Sequence, residues 1–291
     1  MKSPAWLATV LAVCLVAPAA ADSISAPTAV VHYRSVGKLI TLPVRVNGSA
    51  THWFDLDTGA RHSVVDAALA PSLGLRVLSS ERGASVGHGT FAQQRAAAAG
   101  VAIGPTIRYR ADEPWIIDLR QTGFPGLVGV DMLRKYVVRI DPLARTIAFY
   151  DPATFRYAGA GTALALASPD DRLFIDVALA AGGRPPVTHR MRIDTGSEDA
   201  ASDNLVRRSV DRRKSRQGVG LGTSYIDYSG ELDSVRIGPY TLHHVWGPSN
   251  DHPAIGMEIL RRFTMTFDVR HGRLYLEPNR DLNAPVPAPN P

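Results

Sequence analysis

The chain has 291 residues, a formal charge of +5 and one cysteine, Cys14. That length can bury a sizeable core, as one large or two smaller domains. The mild charge gives no general case for a nucleic-acid partner, and the lone cysteine excludes a disulfide framework and a cysteine metal cluster.

From the N-terminus, Met1 to Ala21 has the layout of a secretory signal peptide. Lys2 precedes an apolar run from Trp6 to Ala17, and Ala19-Ala20-Ala21 forms a small-residue cleavage site before Asp22. The run is too short for a typical membrane anchor, so stable membrane insertion is not expected. Lipidation at Cys14 is disfavoured, because bulky Val13 precedes it and cleavage there would cut the apolar run short. The expectation is a periplasmic or secreted mature chain with no cysteine at all.

Next, LITLPVRVNGSATHWFDLDTGA reads as two strands about an Asn47-Gly48 turn, ending at Asp57-Thr58-Gly59-Ala60. A short helix is expected near Asp66 to Leu73. A glycine-rich hairpin follows at Val86-Gly87-His88-Gly89-Thr90, then Ile103-Gly104-Pro105, then GLVGVDMLRKYVVRID with a helix over Asp131 to Lys135. Residues 151–171 are rich in Gly, Ala and Pro and read as a linker.

The same order then returns. LFIDVALAAGGRPPVTHRMRIDTGS turns at Gly182-Gly183 and ends at Asp194-Thr195-Gly196-Ser197, 137 residues after the first copy. A helix is expected near Asp203 to Val210. Val219-Gly220-Leu221-Gly222-Thr223 repeats the hairpin, Ile237-Gly238-Pro239 repeats the next turn, and PAIGMEILRRFTMTFD repeats the last segment, with a helix over Glu258 to Arg262. The offsets drift by a few residues, as they do when loops differ and strands correspond. This is duplication of a whole domain and not a solenoid. The short alternating runs predict a mostly β fold. The domains expected are 1–21 (leader), 22–155, 156–279, and a disordered proline-rich tail at 280–291.

The basic stretch RRSVDRRKSR, 207–216, has two readings: a solvated helix end, where cations suit the dipole, or a surface for an anionic partner. No aromatic residues interleave it, so the helix end is favoured and no nucleic acid is expected.

Strand alternation puts Asp55 and Asp57 on one face, and Arg192 and Asp194 on one face. Each aspartate stands at a strand end, before a glycine that permits a sharp turn. The threonine between can tie that turn to backbone. One such turn is weak evidence; two at matching places in a duplicated domain bring Asp57 and Asp194 to a common axis. Two carboxylates in contact cannot both ionise cheaply, so the pair shares one proton. Such a dyad can act as base and acid on one bond. Ser197 can hydrogen-bond the neighbouring carboxylate where Ala60 cannot, which predicts that the proton rests on Asp57.

At these residues the chain resembles the pepsin and retropepsin class of aspartic proteases, best matched by exported bacterial proteins with two retropepsin-like lobes in one chain. The matching features are the two Asp-Thr-Gly turns, the GHGTF and GLGTS hairpins, and the segments Leu127-Val128-Gly129 and Ala254-Ile255-Gly256. The resemblance spans roughly residues 36 to 278. It implies a bilobal acid-protease fold: two β-barrel-like lobes related by a pseudo-two-fold axis, with a cleft between them. It also implies a monomeric aspartic endopeptidase acting on peptides or unfolded proteins, with Asp57 and Asp194 catalytic and no cofactor or metal. Thr58, Gly59, Ala60, Thr195, Gly196 and Ser197 would support the catalytic loops. Gly87, His88, Gly89 and Thr90 correspond to a flap, and Gly220, Leu221 and Gly222 to its partner, or to a tight hairpin without substrate contact. Asp55 and Arg192, two residues before each aspartate, would line side-chain pockets and favour polar or charged substrates.

The chain departs from the family in having no flap tyrosine, and in Arg61-His62 and Glu198-Asp199 after the turns, where members are often more apolar. A peptide-binding protein that keeps the fold without turnover is the main alternative, and a protease that processes only itself a weaker one. His243, His244 and His252 lack ligand spacing for a metal, and no Gly-x-Ser-x-Gly elbow occurs.

Overall fold

The computed structural model describes residues 25–84, 90–214, 218–220, 223–225 and 228–286. The leader, Gly87 to Gly89, Leu221 and Gly222 lie outside the described residues. The chain is mostly β, as expected, with barrel-like sheets consistent with an aspartic protease fold.

The duplication is visible in strand register. In the first half, Leu39–Val46 and His52–Leu56 form a hairpin closed at Asn47 and Gly48, both with positive φ (50° and 80°). In the second, Phe174–Ala180 and Val187–Ile193 form a hairpin closed near Gly182 and Gly183, at φ 65° and 67°. Each second strand then takes a short parallel neighbour. Gly126–Val128 pairs with His52–Leu56, setting Leu127 beside Asp55, and Ala254–Ile255 pairs with Val187–Ile193, setting Ala254 beside Arg192. The ten-stranded sheet around the first hairpin draws only on the first half, and a seven-stranded sheet draws only on the second.

A third sheet, of six strands, is shared. Ala29–His32, Val137–Asp141 and Thr146–Tyr150 continue into Phe263–Asp268, Arg273–Pro278 and Thr162–Ala165. The seam is the antiparallel pairing of Val138, Arg139 and Ile140 with Phe267, Thr266 and Met265. Val138, Ile140, Met265 and Phe267 are buried there in one apolar cluster that runs through both halves. The stretch expected to be a bare linker therefore contains a strand. Within Thr162–Ala165, Thr162 and Leu164 turn inward and the alanines outward, which is the period a half-buried edge strand needs.

The helices are shorter than expected. Asp66 closes the strand Val64–Asp66, and only Ala70–Leu73 is helical, as a 3₁₀ turn with Pro71 near its start and Gly74 ending it at φ 65°. Asn204–Arg208 is also 3₁₀, capped by the Asp203 carboxylate, which accepts the Leu205 N–H at 2.7 Å. Arg207 and Arg208 occupy its last turn, so part of the basic stretch is a helix end. The rest differs: Arg212–Lys214 is a strand paired with Tyr228–Ile237, and the Arg213 guanidinium lies 4.9 Å from the Trp246 ring centre. The one-turn helices Val130–Leu133 and Met257–Leu260 occupy equivalent places.

The tail departs most from expectation. Disorder was expected from residue 280, yet Leu282 and Val286 pack on the core. The cause is Arg262, which is fully buried. Its guanidinium donates to the Glu258 carboxylate at 2.9 Å and to the carbonyls of Leu282, Ala284 and Pro285. Polar backbone that would otherwise stay in water is held down as acceptors for a buried cation. Residues 287–291 lie outside the described residues. Replacing Arg262 with Met strands these acceptors and removes one partner of buried Glu258. The variant is expected to lose about 3 kcal/mol or more of unfolding free energy, measured by urea titration.

Candidate active site

The two Asp-Thr-Gly turns meet. The Thr58 N–H donates to Thr195 Oγ1 at 3.0 Å, and the Thr195 N–H donates to Thr58 Oγ1 at 3.0 Å. Each hydroxyl in turn donates across to the other half, Thr58 Oγ1 to the Ile193 carbonyl at 2.8 Å and Thr195 Oγ1 to the Leu56 carbonyl at 2.5 Å. Both threonines are completely buried. Four hydrogen bonds thus lock the strand ends carrying Asp57 and Asp194, and the group that each hydroxyl receives is the backbone N–H of its opposite number.

The glycines make the approach possible. A Cβ on Gly59 would lie 2.8 Å from Asp194 Oδ1, and one on Gly196 would lie 2.5 Å from the Asp57 carboxyl carbon. Any side chain at either place would push the facing carboxyl out of position. Gly129 and Gly256 act one layer below. A Cβ on Gly129 would meet the His62 and Ala60 backbone at 2.6–2.8 Å, and one on Gly256 the Asp199 and Ser197 carbonyls at 2.4 and 2.8 Å. The close fit lets the Val130 N–H reach the Ala60 carbonyl and the Met257 N–H reach the Ser197 carbonyl, so each Asp-Thr-Gly turn is held from beneath.

Asp57 and Asp194 lie close enough to share a hydrogen bond, and the Gly59 N–H donates to Asp57 Oδ1 at 2.7 Å. Burial, followed by the negative charge of Asp194, pushes the Asp57 pKa up to about 7, against a smaller lowering by Arg192. Arg192 donates from Nη2 to Asp194 Oδ2 at 2.7 Å. With a cation on Asp194 and a raised pKa on Asp57, the pair's single proton belongs on Asp57. The sequence leads to the same carboxyl for a different reason. The Ser197 hydroxyl does not reach the Asp194 carboxylate; it engages Asp199, at 3.5 Å to Oδ2 and 3.3 Å from the Asp199 N–H, while the Ser197 N–H closes the turn on the Asp194 carbonyl at 3.3 Å. The asymmetry of the dyad comes from Arg192.

Asp55 and Arg192 lie on the dyad side of their strands, as alternation requires, but they differ in what they leave accessible. Asp55 is 2% exposed and its Oδ1 has no hydrogen-bond partner. Arg192 places Nη2 on Asp194 and keeps a fifth of its side chain exposed. Thr90 begins the strand Thr90–Ala96, and Gly220 ends Gly218–Gly220. Ala60 packs with Phe91 and Trp115 against a small buried cluster of Val64, Ile117, Leu119 and Leu127. Trp115, a candidate cleft border from sequence, stacks on His62 with ring centres 5.9 Å apart. Among the other histidines, His244 pairs with Glu231.

Sequence reasoning missed Lys38. Its N–H donates to Glu198 Oε1 at 2.7 Å, and its ammonium reaches the Glu198 carbonyl at 3.2 Å and Glu258 Oε2 at 2.8 Å. This clasp fastens the first half to the loop after the second Asp-Thr-Gly turn. A lone Lys before a strand carries no signal for such a role; only the reversed charge at Glu198, opposite Arg61 in the repeat, could have drawn attention to it.

Burial, then the charges of Asp57 and Asp194, raise the Asp55 pKa well above the usual carboxylate range. The folded chain therefore holds this proton more tightly than the unfolded chain. The resulting stability is fully present below the ordinary Asp pKa and is lost as pH rises through the folded value. Asp55→Asn is expected to raise Tm relative to the parent chain at about pH 8 and to change it little at about pH 4. A Tm gain of equal size at both pH values would show that Asp55 is not the titrating group.

Residues 42–132 match a family model described as aspartyl protease, a segment that includes Asp57, Thr58, Gly59 and Gly129. No curated protein matches the chain. The second turn lies outside the matched segment and is tied to it by the repeated register. The match and the fold together support a protein of aspartyl-protease type.

Proposed function

We propose that the protein is an aspartic endopeptidase in which Asp57 and Asp194 activate water against a peptide bond. The observation that carries this reading is the mutual seating of the two carboxyls, each opposite the other turn's glycine, with the threonine bonds fixing the strand ends. The ionised Asp194 takes a proton from a bound water, whose oxygen adds to the carbonyl carbon. Asp57 gives its proton to the carbonyl oxygen, leaving a gem-diol. Asp194 then protonates the amide nitrogen while Asp57 takes a diol proton, and the C–N bond breaks. Both carboxyls end as they began, and every proton moves between groups already in contact.

We assign Thr58, Thr195, Gly59 and Gly196 to positioning the dyad, and the hairpins at 87–90 and 220–222 to covering the substrate. The leader at 1–21 fits an exported, monomeric enzyme meeting peptides or unfolded proteins. One observation favours a second reading, a peptide-binding protein without turnover: the Arg192 guanidinium already occupies one oxygen of Asp194.

Cleavage of casein or a peptide library is expected in the parent chain, with Asp57→Asn and Asp194→Asn each lowering kcat/KM by about 10²–10⁴-fold. Equal cleavage by parent and variants rejects the chemistry, and tight peptide binding without turnover favours the second reading. Asp57 must hold its proton to act as the acid, so activity is expected to fall as pH rises through about 7. Replacing Arg192 with Met removes the charge that lowers that pKa, which moves the falling limb to higher pH.

A further inference from the structure

Charge is distributed unequally around the dyad. On one side, Lys38 is neutralised by Glu198 and Glu258 of the second half. The equivalent position on the other side should be occupied by a reversed clasp. Strand register aligns Thr41, opposite Asp55, with Phe174, opposite Arg192, so Lys38 corresponds to Asp171 and Glu198 corresponds to Arg61. That clasp is not made. The Asp171 carboxylate is paired with Arg134, and Arg61 is left without an ion-pair partner among the described residues. Arg172, next in the chain, adds a second cation in the same place.

The backbone sets these three residues on neighbouring stretches of chain. The Ile193 N–H donates to the Leu173 carbonyl at 2.8 Å, and the Ile193 carbonyl accepts from Thr58 Oγ1 at 2.8 Å. Arg172 and Arg192 each precede one of these residues, and Arg61 is three residues beyond Thr58. Burial, then the charges of Arg61 and Arg192, lower the Arg172 pKa, against an opposing contribution from Asp170. Arg61 and Arg172 are half-buried. Arg192 places one nitrogen on Asp194, and its Nε is buried with no hydrogen-bond partner. Three like charges beside the Asp194 carboxylate, two of them without an ion-pair partner among the described residues, are costly unless an anion completes the set.

We infer that Arg61, Arg172 and Arg192 form a carboxylate-receiving subsite at the Asp194 side of the dyad, which selects peptides with an acidic side chain flanking the cleaved bond. This rests on the protease reading for its substrate but not for its ligand chemistry. A guanidinium offers a planar fork of donors that suits a carboxylate, and the half-buried setting keeps the attraction from being screened as a surface pair would be. An acidic side chain there also offsets the repulsion among the arginines.

The test uses the full chain and matched peptides with Glu, Gln or Lys at each position around one scissile bond, plus one pair ending in a free or amidated C-terminus. At one position kcat/KM is expected to be about tenfold or more higher for Glu than for Gln, with Lys poorest. In Arg172→Met and in Arg61→Met the Glu-to-Gln ratio should move toward one. A preference for the free C-terminus over the amide, lost in the same variants, keeps the subsite and makes the terminal carboxylate its ligand. Cleavage with equal rates in both pairs overturns the inference and leaves the protease reading intact. Absence of cleavage overturns the protease reading, and fluorescence polarisation with the same labelled peptides then decides the subsite: tighter binding of Glu than Gln, abolished in Arg172→Met, sustains it, and equal binding overturns it.

Discussion

Two buried threonines hold the architecture in place. Each gives its hydroxyl proton to a carbonyl of the opposite half and receives the other's backbone N–H. A buried backbone N–H without a partner is expensive, so the exchange satisfies four groups that neither half could satisfy alone. It also fixes the spacing of the strand ends, leaving the carboxyls that follow little freedom to part. The glycines complete the constraint, because the room a Cβ would fill is where the facing carboxyl lies. Proximity of two acids, unfavourable in itself, is imposed by bonds around them that are favourable.

The shared sheet serves the same end at longer range. If the halves met only at the turns, four hydrogen bonds would have to resist any rocking between them. The pairing of Val137–Asp141 with Phe263–Asp268 continues one sheet across the boundary, and apolar residues of both strands are buried in a common cluster. Lys38 and Arg262 then work around Glu258 from either side, one reaching from the first half and the other drawing in residues 282–285. A buried carboxylate with several cationic partners can remain ionised, and Glu258 links the helix below the second catalytic loop to both.

Much of this was legible in the residues. The repeated Asp-Thr-Gly, the Asn47-Gly48 turn and the two apolar-apolar-Gly segments are local signals with a local physical cause, and they led to the right hairpins and to the same register in both halves. The six-stranded sheet was not legible, since VVRID and FTMTFD each read as a strand and nothing in either names the other as its partner. The tail was misjudged because its composition is that of disorder, while the side chain that restrains it, Arg262, lies some twenty residues earlier. The site was legible to the level of the dyad. Its electrostatics were not: Ser197 could reach Asp194 in principle, but a hydroxyl with two neighbouring carboxylates goes where the loop turns it, and here that is Asp199.

Duplication supplies two equal carboxyls, whereas the proposed chemistry needs an acid and a base. A symmetric pair can share its proton either way, and the distinction arises only when a substrate breaks the symmetry. In this chain it is already broken. The positions two residues before the aspartates have become Asp55 and Arg192, one buried and holding its proton under the charge of the pair, the other clamped to Asp194. The positions four residues after them have become Arg61 and Glu198, and among the described residues only the Glu198 side chain, of the two, has a hydrogen-bond partner, the Lys38 N–H. The same substitutions that distinguish the two carboxyls therefore also make the two sides of the dyad electrically different. The proton assignment and the charge selectivity proposed above would then be two consequences of one departure from the repeat.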